Sequence, residues 1–105
     1  MSERWSTQVH SDDGVTTIAL AGEIDLVAAP EVRTYVSGAL AESPRRLVIN
    51  LTNVTFIDST GVQALVVANQ TTRLLKVDLV IVPGPPPVMR ILELAGLEDL
   101  LTFER

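Results

Sequence analysis

Leu47-Val48-Ile49-Asn50-Leu51-Thr52-Asn53-Val54-Thr55-Phe56-Ile57-Asp58-Ser59-Thr60-Gly61-Val62-Gln63-Ala64-Leu65-Val66 is the stretch on which the fold turns. It opens with an apolar run, Leu47 to Leu51, that reads as a strand buried on both faces. The polar pair Thr52 and Asn53 interrupts it, and Val54 to Ile57 carry it on to Asp58-Ser59-Thr60-Gly61. Beyond Gly61 the period changes. Val62, Leu65 and Val66 recur at helical spacing, with Ala64, Val67 and Ala68 on the flanks. A strand turning straight into a helix puts its connecting residues at the carboxyl edge of a sheet, where ligands and partners of open α/β sheets gather.

Asp58, Ser59 and Thr60 are all good N-cap types, able to accept from the amides that a helix start leaves unpaired. Gly61 is a poor helix former, tolerable in a first turn and useful where a backbone or partner comes close. The positive end of the helix dipole then lies beside the Ser59 hydroxyl. Alone, such a tetrapeptide is usually just a capping cluster. Between this strand and this helix it becomes specific.

Toward the N-terminus, Trp5, Thr7 and Val9 alternate with Ser6 and Gln8 as in a half-buried strand. Ser11-Asp12-Asp13-Gly14 reads as a turn, and Val15 to Leu20 as a second strand that makes an antiparallel hairpin with the first. Ala21 to Asp25 leads out of it. Two helix starts are open: Asp25 as a direct cap, or a start one turn later with Pro30 in first position. Val32, Tyr35, Val36, Ala39 and Leu40 form one apolar stripe either way.

Toward the C-terminus, the central helix fades near Leu74 or Leu75, and Leu74-Leu75-Lys76 offers no Gly for a left-handed exit. Val77 to Val82 is the next strand. Pro83-Gly84-Pro85-Pro86-Pro87 is a stiff loop whose last proline suits a helix first turn. Val88, Ile91, Leu92 and Ala95 then define another helix, with Gly96 as its C′ residue and Leu97 folding back. Glu98 to Leu101 suggests a short helical turn, and Phe103 a last strand or anchored tail. The class is α/β: a mixed sheet of four or five strands with an N-terminal antiparallel hairpin, right-handed crossovers and three to four packed helices.

At 105 residues the chain suits one domain, residues 1–105. With 47% hydrophobic and 20% charged residues it has a globular composition. The net charge of −5 argues against a nucleic-acid partner, which needs a clustered basic surface. No apolar run reaches the roughly 18 residues of a membrane span, so no membrane insertion is expected. The first residues contain no apolar segment like that of a signal peptide, and cysteine is absent, so a cytoplasmic location is expected.

The central stretch resembles the STAS domain, the fold of bacterial anti-sigma-factor antagonists, in which an apolar strand, Asp-Ser-Ser-Gly or Asp-Ser-Thr-Gly, and a helix follow one another. The likeness extends to Leu20-Ala21-Gly22-Glu23-Ile24-Asp25 and to Leu94-Ala95-Gly96-Leu97. It covers essentially the whole chain. The resemblance implies phosphorylation at Ser59 and a partner surface of Glu23, Asp25, Asp58, Ser59, Thr60 and Gly61. It implies as partners an anti-sigma factor with serine/threonine kinase activity, which brings its own ATP and magnesium, and a protein phosphatase. The chain itself is expected to be a monomer or weak dimer, without a cofactor.

An enzyme reading finds little to work with. Ser59, His10 and Asp25 or Asp58 formally allow a triad, since triads ignore chain order. Yet no Gly-x-Ser-x-Gly elbow, Walker loop or dinucleotide fingerprint occurs, and no ligand spacing suggests zinc or calcium. No catalysis and no metal are expected. Two other readings stay open beside the phospho-switch: a STAS subunit of a signalling scaffold or lipid-transport complex, and a small serine hydrolase built on Ser59.

Overall fold

The computed structural model describes residues 4–104. Its elements are β1 (Trp5–Asp12), β2 (Val15–Ile24), α1 (Ala28–Ala41), β3 (Arg46–Ile57), α2 (Ser59–Leu75), β4 (Asp78–Val82) and α3 (Pro86–Leu94). The strands lie in the order β1-β2-β3-β4, with β1 antiparallel to β2 and the rest parallel. This is the expected mixed sheet with its N-terminal hairpin, at four strands and three helices. Phe103 adds only an isolated bridge to Ile81, not a fifth strand. Glu98 to Leu101 makes the expected single helical turn, the Leu101 amide donating to the Leu97 carbonyl, and adds no fourth helix.

The hairpin turns on two residues. Asp13 and Gly14 both have positive φ, 51° and 77°, and Asp12 pairs directly with Val15. Such a turn matches the right-handed twist of its strands, which explains why Asp-Gly marks it in the sequence. Ser11 and Asp12, expected in the turn, belong to β1, and the Ser11 hydroxyl meets that of Thr16 across the ladder at 3.0 Å.

Because successive strands sit side by side in chain order, right-handed crossovers put every helix on the same face. Ile18, Leu20, Leu47, Ile49, Leu51, Leu79 and Ile81 on that face are buried, against Val32, Val36, Leu40, Ala64, Leu65, Val88 and Leu92 from the helices. The alternate residues Thr17, Ala19, Val48, Asn50, Val80 and Val82 are only half-buried. So β3 is covered on one face, not two. An apolar run does not reveal by itself which of its faces a helix covers.

Smaller departures sit at the margins of the core. Val9 lies on the edge strand and is 47% exposed, although Trp5 and Thr7 are half-buried as expected. Tyr35, at the margin of the α1 stripe, is 42% exposed. Pro86 and Pro87 both enter α3, in first-turn positions that need no amide donor.

The helix ends are decided locally. Gly96, φ 79°, donates to Glu93 and Leu97 donates to Leu92, the expected Schellman pattern. α2 ends in the same pattern without a glycine. Lys76 adopts φ 59° and ψ 37°, donating to Arg73 while Val77 donates to Thr72. Lys76 therefore supplies the left-handed exit that the sequence lacked.

Candidate functional site

β2 and β3 are parallel, with Ile24 opposite Ile57, so the residues after both strands emerge at one edge of the sheet. β2 runs further than its apolar run suggested, through Ala21 to Ile24, and shifts register at Ala19/Ala21 and Gly22/Glu23. At Gly22 φ is 85°, and a Cβ there would collide with the Arg4 carbonyl, which also accepts from the Glu23 amide. Only glycine fits this bend, and the bend aims Glu23 to Asp25 at the edge.

Asp25 caps the turn that opens α1. Its Oδ1 accepts from the Val27 and Ala28 amides at 3.0 and 3.2 Å, and its carbonyl accepts from Ala29. α1 itself spans Ala28–Ala41, so Pro30 is third in it, not first. The equivalent cap on α2 is Asp58. Its backbone is extended, and its Oδ1 accepts from the Thr60 amide at 2.9 Å, the Gly61 amide at 3.1 Å and the Thr60 hydroxyl. The Thr60 hydroxyl first, and then the amides of Gly61, Thr60 and Leu26, hold the Asp58 carboxyl below its ordinary value, with burial opposing them.

The two hydroxyls of the motif differ. Thr60 is half-buried and its hydroxyl is committed to Asp58. Ser59 is exposed, and among the described residues its hydroxyl has no hydrogen-bond partner in the protein. It stands at the first position of a 17-residue helix, where the helix dipole favours negative charge.

Gly61 is buried, and a Cβ would lie 2.6 Å from both the Ile24 carbonyl and Ile57 Cγ1. Its lack of a side chain lets α2 start against the end of β2. It shapes the site from beneath. Glu23 is half-buried opposite Phe56, with only a 3.8 Å ion pair to the exposed Arg4, a contact of little worth.

The sequence reading missed three residues at this edge. Leu26, Val27 and Phe56 are 70%, 73% and 49% exposed. The available signal was an apolar pair directly after Asp25 that belongs to no stripe of α1.

His10 takes no part. It faces Thr17, seven residues before Ile24, so roughly 20 Å of strand separates it from Ser59 at about 3.3 Å per residue. No group of acidic, His or Cys residues among those described is arranged to hold a metal. No helix among them is long and apolar enough to cross a membrane.

The profile of the STAS domain family matches residues 6–105. An anti-sigma-B factor antagonist of Listeria monocytogenes is 33% identical over 87 residues, covering 83% of this chain and 76% of its own length. An anti-sigma factor antagonist from Mycobacterium paratuberculosis, known by crystal structure, superposes with a TM-score of 0.83 at 30% identity, over 94% of this chain and 84% of that one. The Bacillus cell fate determinant SpoIIAA in its phosphorylated form superposes with a TM-score of 0.74 at 19% identity, over 95% and 92% of the two chains, a likeness of fold. These relatives are named as regulators and not as enzymes. With its sheet order, its Asp58-to-Gly61 strand-to-helix turn and this family match together, the chain belongs to the STAS domain family.

Proposed function

We propose that this protein is an anti-sigma-factor antagonist switched by phosphorylation of Ser59. Unphosphorylated, it binds an anti-sigma factor with serine-kinase activity through the edge formed by Glu23, Asp25, Asp58, Ser59 and Thr60, with Gly61 beneath them. That binding releases a sigma factor. The bound kinase, using its own ATP and magnesium, then phosphorylates Ser59 and ends the interaction, and a protein phosphatase restores it.

The observation that carries this reading is the contrast between Ser59 and Thr60. Ser59 offers a free, exposed hydroxyl, whereas the neighbouring hydroxyl is held by Asp58. A phosphate adds about −1.5 to −2 charges at neutral pH. The helix N-terminus favours that charge and Asp58 opposes it, so the fold itself changes little. A partner lying over the edge must instead desolvate a dianion, and binding is lost. The names of the relatives support the antagonist role.

The test is incubation with the purified anti-sigma-factor kinase and ATP, followed by phosphate mapping. The expected result is one phosphate, on Ser59, and dissociation of the complex. Phosphate on Thr60, or a complex indifferent to phosphorylation, would refute the switch.

A further inference from the structure

Between Asp25 and α1 stand two apolar side chains that the fold does not use. Leu26 and Val27 are 70% and 73% exposed, while Ala28, Ala29 and Val32 make the core contacts at the start of α1. Their backbone is nevertheless held. Asp25 accepts from the Val27 and Ala28 amides, and the pairing of Ile24 with Ile57 brings the loop beside Asp58 and Ser59. Scattered exposed apolar residues need no explanation, but an adjacent pair fixed at a candidate site marks an interaction surface. Because the loop is already ordered, docking on it loses little further conformational entropy.

The surroundings say what fits. Glu23, Asp25 and Asp58 flank the pair, and the whole chain carries a net charge of −5. A complementary surface is apolar at its centre and basic at its rim.

We infer that Leu26 and Val27 are the affinity anchors for the anti-sigma-factor kinase, entering an apolar pocket with a basic rim on that partner. This rests on the function proposed above and divides its labour. The loop tip supplies the grip, and Ser59 supplies the charge that releases it.

The experiment measures calorimetric affinity of the purified kinase that phosphorylates Ser59 for unphosphorylated wild type, for the Leu26→Ser/Val27→Ser double variant and for Leu74→Ser. Leu74 is 84% exposed near the far end of α2 and controls for loss of any surface leucine. Truncating two anchors at about tenfold each raises the dissociation constant about 100-fold. Leu74→Ser leaves it unchanged. Melting temperatures stay within about 2 °C, since these are surface changes.

An unchanged constant for the double variant would overturn the anchor role and leave the phospho-switch standing. Failure of wild type to bind the kinase would remove both. Sedimentation showing that the two side chains hold a dimer of this chain, with kinase affinity unaffected, would overturn the inference in favour of self-association. Should the double variant melt early, Leu26→Gln and Val27→Thr, each near in size to the original, face the same comparison.

Discussion

The Thr60 hydroxyl donates to the Asp58 carboxylate at 2.5 Å, which ties the middle of the Asp58-to-Gly61 turn together and leaves Ser59 projecting alone. Thr60→Val removes that donor at nearly constant shape. Hydrogen bonds to charged groups are worth roughly 1.5–3 kcal/mol, and at this half-exposed position we expect about 1 kcal/mol of lost stability in urea unfolding. On the function proposed above, Ser59 should still accept phosphate in this variant, because its hydroxyl takes no part in the bond.

Asp58 gives the pH dependence its sign. Its carboxyl titrates below the ordinary value in the folded protein and near about 3.9 in the unfolded chain. Its contribution is therefore fully present above about pH 4 and is lost as the pH falls through the lower, folded value. Asp58→Asn keeps a capping side chain but does not titrate. The stability gap between wild type and Asp58→Asn should be flat at neutral pH and narrow in acid. A gap that widens on acidification would contradict the assignment.

Ser59→Ala should fold like wild type, within about 0.5 kcal/mol, because Asp58 and not Ser59 accepts from the helix amides. Ser59→Asp should fold as well, with the helix dipole offsetting repulsion from Asp58 to within about 1 kcal/mol. Binding separates the two variants. An unpaired charge under a partner costs about 2–5 kcal/mol, so Ser59→Asp should weaken kinase affinity by roughly 30-fold or more while Ser59→Ala retains it. Parallel calorimetry and thermal melts distinguish this from unfolding.

Gly61→Ala tests whether the glycine serves the backbone or the partner. A methyl at 2.6 Å from the Ile24 carbonyl forces α2 away from β2, an overpacking that costs about 1–3 kcal/mol. Thermal stability should fall even with no partner present.

Lys76→Gly should do the reverse. A left-handed conformation costs a residue with a Cβ roughly 1–2 kcal/mol, partly offset by the greater freedom of glycine when unfolded. The expected gain is about 0.5–1 kcal/mol, read as a higher urea midpoint at unchanged slope.

The parts of this protein legible in its sequence are those settled within a few residues of chain. Asp13-Gly14 specifies a two-residue hairpin because both positions need positive φ. Gly96 and Leu97 close α3 because a Schellman motif spans only its last turn. Asp58 caps α2 because its carboxylate reaches amides two and three residues on. The apolar periods around these points were enough for the order of strands and helices, and so for the fold.

What the sequence left open depended on residues far along the chain. Parallel pairing of Ile24 with Ile57 brings Asp25 and Leu26 beside Asp58, a juxtaposition set by register between two strands more than thirty residues apart. Gly61 is required by the Ile24 carbonyl and not by its own helix. Lys76 adopts a conformation it does not favour alone, because packing of α2 against the sheet and pairing of β4 with β3 outweigh the local cost. The exposure of Leu26 and Val27, and the single covered face of β3, follow from where the helices come to rest. Local propensity acts through neighbouring backbone atoms, whereas burial is decided by whatever element arrives to exclude water, and only the assembled tertiary structure contains that information.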